Sequence, residues 1–477
     1  MWWAVFLSWG CGGDQVEPPD PLKETGSPIT DTAAEPDTGS PPPPPLAARC
    51  GLTDNVLRAS CTIEVDPPQA VQITFQPEDG GRPERVHGGD EIAALHEIGL
   101  YFMRPETPYR YTIEALQTGE ELQGSLTTGT PPPGAAATLE VSGSSSSPMV
   151  GLASPCGAYA LIFDTAGDLL WYEDLSQGLF SFLEGVSFTE DQTVLGLVSG
   201  ELVEVDLQGR RGLSLRTGDG FSERIHHDAL RRDKLTYVLF QEPPDDDGFL
   251  MDGFYVFDED GSPIAQWRLS EHHVPVPTPQ VPAPLLGAGD LIDYSHANAI
   301  WVDDAGDILI SFRHLSAVVK VAGLGRVDFG ALQWTLVGDP LSPMSPDLGL
   351  ENLTGGLDGF LRQHNVHTLS DGRIAMFDNR RLGERSRLLL IEVDEGAGLA
   401  TLEEAYDLNL YCDFQGGAWH TVAGNPVATC APQDVAFEFV AGSAGGSSAP
   451  ETAVWEGEAR CEQGTSPYIP RFVPLDW

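Results

Sequence analysis

An internal repeat constrains the fold of this chain more than any other feature of its sequence. From about residue 137 onward, an apolar strand, a turn and a second strand, which often carries tryptophan, recur together six times. The six copies are YALIFDTAGDLLWYEDL (159–175), LVEVDLQGRRGLSL (202–215), FYVFDEDGSPIAQWRLS (254–270), VVKVAGLGRVDFGALQWTLVG (318–338), LLLIEVDEGAGLATLEEAYDL (388–408) and VAFEFVAGSAGGSSAPETAVWEGEA (435–459). A second hairpin pattern with a polar start alternates with the first, as in HANAIWVDDAGDILISFRH (296–314) and QHNVHTLSDGRIAMFDNR (363–380).

Two hairpins per repeat give four strands. Four-stranded sheets arranged radially form a β-propeller, in which neighbouring sheets protect one another's edges. The six copies predict six blades, and we expect the first and last repeats to share a blade so that the ring closes. We therefore predict an all-β fold with a six-bladed β-propeller over residues 137–477.

Composition agrees with this fold and excludes one class of partner. The chain has 477 residues, enough for two or three domains, and its 53 glycines and 38 prolines are typical of turn-rich β proteins. Its 26 basic and 71 acidic residues give a net charge of −45. A surface this acidic repels nucleic acid, so we predict no nucleic-acid partner.

The first residues resemble the export signal of a bacterial lipoprotein. MWWAVFLSWGCGGD is a short apolar run that ends at Cys11, and it predicts a signal peptide over residues 1–11 with a lipid anchor on that cysteine. No basic residue precedes the run, and Ser8 stands where such signals usually carry leucine, so an unprocessed N-terminus is the alternative. Residues 12–46 predict a disordered Pro-rich and acidic linker. We expect a protein of the cell envelope, either periplasmic or anchored in the outer membrane.

Residues 47–131 read as short strands, with clear alternation in YRYTIEAL, and resemble a fibronectin type III-like β-sandwich.

The chain has seven cysteines and lacks a CxxC motif, which argues against zinc. If Cys11 carries lipid, the six that remain allow 15 pairings. Proximity in the sequence favours the disulfides Cys50–Cys61 and Cys412–Cys430.

Three histidines occupy matching places in the second pattern. His227, His296 and His364 lie at its polar start, 69 and 68 residues apart, within about two residues of register. Because the innermost strand of each blade borders the central channel, we expect the three to converge there, with Arg313 from the next strand. Each histidine taken alone is more often a surface or hydrogen-bonding residue. As a cluster they suit either a metal or an anion with a histidine nucleophile, and Arg313 favours the anion. Strand alternation turns His367 away, so we predict that it packs.

At these residues the chain resembles the bacterial arylsulfotransferases that do not use a nucleotide sulfate donor. The matching segments are HHDAL, DYSHANAIWVDDAGDILISFRHLSAVVKV, LRQHNVHTLSDGRIAMFDNR and GGAWHTVAGNPVATC, over roughly residues 140–475. The resemblance implies a periplasmic six-bladed propeller preceded by a β-sandwich. It also implies transfer of a sulfuryl group from an aryl sulfate to a phenol by a ping-pong mechanism through a sulfohistidine, with no cofactor and no metal.

The resemblance also assigns roles to residues. His364 would be the nucleophile, and His296, Asn298 and Arg313 would be the anion-binding and acid/base partners. His227 would join them, with His226 as the alternative. Homodimerisation is left open by the sequence.

Two rival functions remain at the level of sequence. One is a non-catalytic propeller that binds a partner at the cell surface. The other is a metal-dependent hydrolase that uses the same histidines. The first predicts no turnover, and the second predicts loss of activity with a chelator.

Overall fold

The fold is described by a computed structural model that covers residues 46–80, 85–176, 181–276, 291–351, 359–444, 452–461 and 472–477. Within these residues the chain consists of β-strands and two 3₁₀ helices, Leu269–Glu271 and Ala431–Gln433, so the predicted all-β class is confirmed. The predicted signal segment, Cys11 and all but the last residue of the linker lie outside the described residues. No helix in the described ranges is long and apolar enough to cross a membrane.

The first five strands form one hydrogen-bonded sheet, in which β2 pairs with β1, β3 and β4, and β4 pairs with β5. They are β1 (Leu46–Leu52), β2 (Ala59–Pro77), β3 (Arg85–Leu100), β4 (Pro108–Ala115) and β5 (Glu120–Thr127). Alternate apolar residues of β2, such as Ile63 and Ile73, are buried with Ile113 of β4. The disulfide Cys50–Cys61 joins facing residues of β1 and β2 and confirms that predicted pair. The fibronectin type III-like interpretation of this segment stays a prediction.

The rest of the described chain contains six sheets of four or five strands, which are antiparallel apart from the strand Gly349–Glu351, and one parallel pair of two-residue strands. We interpret each of the six larger sheets as one blade. The strands before residue 220 are β6 (Ala137–Gly143), β7 (Met149–Ala153), β8 (Tyr159–Asp164), β9 (Leu169–Asp174), β10 (Leu183–Phe188), β11 (Thr193–Val198), β12 (Glu201–Asp206) and β13 (Arg211–Leu215). The next are β14 (Arg224–Arg232), β15 (Leu235–Gln241), β16 (Phe249–Leu250), β17 (Asp252–Phe257), β18 (Pro263–Arg268), β19 (Ile292–Asp293), β20 (Ala297–Val302), β21 (Ile308–Phe312), β22 (Ala317–Val321) and β23 (Leu332–Val337). The last are β24 (Gly349–Glu351), β25 (His364–Thr368), β26 (Ile374–Asp378), β27 (Arg387–Asp394), β28 (Leu399–Asp407), β29 (Gly417–His420), β30 (Pro426–Cys430), β31 (Val435–Glu438), β32 (Trp455–Cys461) and β33 (Val473–Leu475).

Strands from the two ends of this region join sheets at the opposite end. The last strand, β33, pairs with β7 at the edge of the first sheet, and β6 pairs with β32 at the edge of the last sheet. The predicted sharing of strands between the first and last repeats is therefore confirmed. The disulfide Cys156–Cys461 also links these two ends, and Cys412–Cys430 confirms the second predicted pair.

One edge strand of each sheet lies beside an edge strand of the next. The neighbours are β10 and β14, β14 and β20, β20 and β25, β25 and β29, and β29 and β33, while β10 also lies beside β7 of the β33 sheet. These contacts close a ring, with the six edge strands around its centre. The histidines of the second sequence pattern lie at the starts of three of these strands, so the ring brings them towards one end of the channel.

Candidate active site

A backbone irregularity begins each of the three histidine-bearing strands. His227 (φ 59°), His296 (φ 51°) and Asn365 (φ 50°) adopt left-handed conformations, which residues other than glycine seldom adopt. The pairing register shifts at these points in β14, β20 and β25. Bulges of this kind re-aim side chains and are common next to active sites. His364 lies one residue before its left-handed position, whereas His227 and His296 occupy theirs.

Three histidine rings pack against one another at the channel end. The ring centre of His296 lies 4.7 Å from that of His227 and 4.4 Å from that of His314. His226 is buried behind His227, with its Nδ1 2.6 Å from the Nδ1 of His227 and its Nε2 3.0 Å from Asp252 Oδ1. His227 is therefore the member of this pair that contacts His296, and His226 supports it from behind.

Asp293 and His296 form a close hydrogen-bonded pair. His296 Nδ1 lies 2.5 Å from Asp293 Oδ2. Burial by itself raises the pKa of Asp293, but the hydrogen bond and charge of His296 bring it below its usual value, so the carboxyl is ionised. Because an ionised carboxylate only accepts, Nδ1 of His296 carries a proton and donates it. Nε2, across the ring, is then the nitrogen that can exchange a proton with a ligand.

The hydrogen bonds of His364 fix its tautomer. Asn379 Nδ2 donates to the carbonyls of Cys412 (2.9 Å) and Gln415 (2.7 Å), which turns Asn379 Oδ1 towards His364 Nδ1 at 2.7 Å. Nδ1 therefore carries the proton. The backbone N–H of Gln415 donates to Nε2 at 3.2 Å, which requires a lone pair on that atom. The imidazole is held neutral with Nε2 as its basic nitrogen, the form that attacks an electrophile.

The support for Asn379 reaches a disulfide. Ser386 Oγ donates to the carbonyl of Asn379 at 3.0 Å and accepts from the backbone N–H of Cys412 at 2.9 Å. Cys412 is bonded to Cys430 in the next sheet. Asn379 is a site residue that sequence reasoning missed. Its signal was present in the FDNR motif one strand after His364.

Arg313 connects the two halves of the site. Its backbone N–H donates to the carbonyl of His296 at 3.1 Å, and its guanidinium donates to the carbonyl of Asp413 at 3.4 Å. Asp413 lies two residues before Gln415, which contacts His364. Burial, followed by repulsion from the Arg362 guanidinium, lowers the pKa of Arg313. The partly buried Arg313 guanidinium, with the exposed Arg362 beside it, is a setting that a bound anion would stabilise.

Asn298 departs from its predicted role. The residue is fully buried at 0% exposure, and its Nδ2 donates to the carbonyl of Gln363 at 2.7 Å. Gln363 in turn donates to Ser311 Oγ at 3.0 Å and to the carbonyl of Ala317 at 2.9 Å. Asn298 thus holds the residue before His364 and presents no surface to an anion. The bulge explains the difference, since Asn298 is the extra residue of β20 at the register shift.

His367 has the predicted packing role. Its ring lies 5.3 Å from that of Trp301 and 5.2 Å from that of Trp419. Complete burial lowers the pKa of His367 to about 4, so the ring is neutral at pH 7. It contributes to the packing of β25 and is separate from the histidine cluster.

The arrangement also bears on the metal-dependent alternative. Asp293, His296 and His314 offer three ligand atoms within 4.8 Å of one another, so this group could hold a cation. However, Asp293 Oδ2 and His296 Nδ1 already bond each other, and His314 Nδ1 bonds the carbonyl of Asp293 at 2.8 Å. The guanidinium of Arg313 adds a positive charge that acts on Asp293. These contacts engage Oδ2 of Asp293 and Nδ1 of both histidines within the protein, and the positive charge of Arg313 favours an anion over a cation as the ligand.

Together, these features define an all-β protein of the propeller type, with a neutral histidine, an arginine and a carboxylate-bound histidine at one end of its channel. A sequence model of the arylsulfotransferase (ASST) family matches residues 116–391, more than half of the chain. The chain belongs to the arylsulfotransferase family.

Comparisons with solved structures and curated proteins do not extend this family assignment. A protein of unknown function from Bacteroides caccae is similar at 11% identity and a TM-score of 0.44, over 70% of this chain and 100% of that chain. A catalytically inactive virginiamycin B lyase from Staphylococcus aureus, solved with quinupristin, is similar at 7% identity and a TM-score of 0.36, over 64% of this chain and 86% of that chain. Both likenesses are too weak to carry a functional argument, and no curated protein matches the chain.

Proposed function

We propose that this chain transfers a sulfuryl group from an aryl sulfate to a phenol in two steps, through a covalent intermediate on His364 Nε2. Membership of the arylsulfotransferase family supports aryl sulfotransferase activity in general. The observation that carries the finer proposal is the hydrogen-bond pattern at His364. Asn379 and Gln415 together leave Nδ1 protonated and Nε2 basic, as a nitrogen nucleophile requires.

In the first step, the hydrogen bond from the Gln415 N–H to His364 Nε2 breaks, and the freed lone pair of Nε2 attacks the sulfur of the aryl sulfate. The bond between sulfur and the phenolic oxygen breaks, and its electron pair stays on that oxygen, which takes a proton from His296. Nδ1 of His364 keeps its proton, so the N-sulfo imidazole is cationic on the ring. Asn379 Oδ1, which accepts from Nδ1–H, stabilises that charge.

In the second step, an acceptor phenol takes the place of the first phenol. Its proton passes to His296, its oxygen attacks the sulfur, and the N–S electron pair returns to His364 Nε2. Arg313 offsets the negative charge on the sulfuryl oxygens in both transition states, as cationic side chains do in phosphoryl transfer. A two-step reaction of this kind gives ping-pong kinetics.

The proposal extends to location. We propose that the protein is exported and carries lipid on Cys11. Six of the seven cysteines form disulfides, which persist in oxidising compartments such as the periplasm. A homodimer stays a prediction.

The proposed reaction predicts release of nitrophenol that depends on an acceptor. The full chain should release 4-nitrophenol from 4-nitrophenyl sulfate when phenol is added, with formation of phenyl sulfate in equal amount. Absorbance follows the first product, and mass spectrometry follows the second. Prior treatment with EDTA should leave the rate unchanged, since no step uses a metal.

The two alternatives give different results in the same assay. A metal-dependent hydrolase would release nitrophenol without phenol and would lose activity after EDTA. A non-catalytic binding module would give no release with any donor. Either result would contradict the proposed transfer.

A further inference from the structure

We propose that Asp293 is a positioning residue that holds His296 in the orientation and charge state needed to exchange protons with the substrate oxygen. This inference rests on the proposed sulfuryl transfer and assigns a part of it to a residue that the sequence did not single out. The acidic group acts through His296 and does not contact the substrate.

The backbone around Asp293 is fixed from two sides. Asp293 ends β19, a short strand that pairs in parallel with β16, where it lies opposite Leu250. The flanking N–H groups of Ile292 and Tyr294 donate to the carbonyls of Gly248 and Leu250, each at 2.9 Å. This pairing places the Asp293 carboxylate against the ring of His296, three residues further along the chain.

His314 supports the pair from the other side. Its Nδ1 lies 2.8 Å from the carbonyl of Asp293, and its ring lies 4.4 Å from that of His296 at an interplanar angle of 34°. Burial, with the neighbouring charge of His296, lowers the pKa of His314 to about 4, so this ring is neutral near pH 7. A neutral ring can line the site and brace Asp293 without competing with His296 for the proton.

Charged and titratable groups face Asp293 from several elements. They are His296 and His314, then His226 from β14, and Arg313 after β21. Asp293 is the one carboxylate among these five groups, and Oδ1 of Asp293 has no hydrogen-bond partner among the described residues. Its negative charge therefore offsets a positive charge on His296, in a site where Arg313 is a second positive group that acts on Asp293.

His227 is supported in a different way. Its Nδ1 contacts Nδ1 of His226, and the far nitrogen of that second ring faces Asp252. Asp252 is also engaged by Ser295 Oγ at 2.5 Å and by the backbone N–H of Ala297 at 2.7 Å. The direct contact between Asp293 and His296 is the observation that identifies His296 as the proton-transfer group.

The proposed role of Asp293 predicts that the rate lost on its replacement depends on the basicity of the leaving group. When the S–O bond breaks, a weakly basic oxygen such as that of 4-nitrophenolate leaves without much help, whereas a strongly basic phenolate needs a proton. Removing the negative charge of Asp293 should therefore slow donors with a strongly basic leaving phenolate far more than donors with a weakly basic one. A purely structural role for Asp293 would slow all donors by the same factor.

The test compares donors in Asp293→Asn, which keeps the size of the side chain and a hydrogen-bond acceptor. Transfer from phenyl sulfate to an acceptor phenol should fall about 100-fold, and transfer from 4-nitrophenyl sulfate less than about 5-fold. The rates are initial rates of sulfated acceptor formed. The control is Asp304→Asn, whose exposed carboxylate pairs with Arg232 at the surface and which should leave both rates unchanged.

Further variants cover a failure of Asp293→Asn to fold. Thermal unfolding identifies such a failure. Asp293→Glu, which keeps the charge, is then compared with wild type: transfer from phenyl sulfate should fall more than transfer from 4-nitrophenyl sulfate, but by less than the loss of about 100-fold expected for Asp293→Asn. An equal loss for both donors in a folded variant would overturn the role of Asp293 while leaving sulfuryl transfer in place. A wild-type protein that transfers from neither donor would instead contradict the proposed function itself.

Discussion

Replacement of His364 with alanine should lower transfer from 4-nitrophenyl sulfate by about 10⁴-fold or more, to the background of the assay. The reason is that the substitution removes the only atom to which the sulfuryl group is transferred in the first step. Neighbouring histidines cannot replace it, because Asn379 and Gln415 fix a basic nitrogen at this position. The measurement is the initial rate of nitrophenol release with phenol present.

A matched histidine outside the site provides the control. His272 stacks on Trp267, and His272→Ala should keep the wild-type rate. Thermal unfolding of His364→Ala shows whether the variant is folded. A folded His364→Ala protein that retains a tenth of the wild-type rate would contradict the covalent mechanism.

Replacement of Arg313 with alanine should lower kcat/KM by about 10³-fold, with effects on both binding and rate. The backbone N–H of Arg313 donates to the carbonyl of His296, and its guanidinium donates to the carbonyl of Asp413 near Arg362, where it can offset the charge of the sulfuryl oxygens. Arg313→Lys should recover part of this loss, because lysine keeps the charge but not the planar donor pair. Steady-state kinetics over a range of donor concentrations separates the two effects.

Arg460→Ala serves as the control for Arg313. Arg460 pairs with Glu458 and Glu140 at the surface and should leave kcat/KM unchanged. If Arg313→Ala leaves kcat unchanged and changes KM by less than a factor of about 5, the arginine does not stabilise the transition state, and its assigned role is wrong.

The sequence predicted the fold well because its repeat is long and regular. Two alternating hairpin patterns specify four strands, and the described residues after β5 form six sheets of four or five strands. The exchange of β6 and β33 between the first and last sheets was also foreseeable, since a ring must close. Disulfides between residues close in sequence, such as Cys412–Cys430, were predictable. Cys156–Cys461 was not, because its residues are 305 positions apart and meet only through closure of the ring.

The site was predictable at the level of strands and less so at the level of side chains. Matching repeat positions brought His227 and His296 together, as ring packing confirms. The repeat could not show that a bulge turns Asn298 into the interior, because a single extra residue reverses the direction of a side chain.

The supporting groups of the site escaped prediction for a different reason. Asn379, Asp293 and His314 act through hydrogen bonds between loops of different sheets or between a loop and a strand end. Such contacts leave no periodic pattern in the sequence. Arg362 lies only two residues before His364, and its proximity to Arg313 depends on how two separate segments fold back to the channel.

The most direct measurement is a search for the covalent intermediate. The wild-type protein would be mixed with 4-nitrophenyl sulfate without acceptor, quenched at alkaline pH and digested, and its peptides would be mapped by mass. A sulfuryl group is expected on the peptide that contains His364, and it should disappear when phenol is added before the quench. Phenol-dependent transfer without any adduct, or with the adduct on another residue, would contradict the assignment of His364 as the nucleophile.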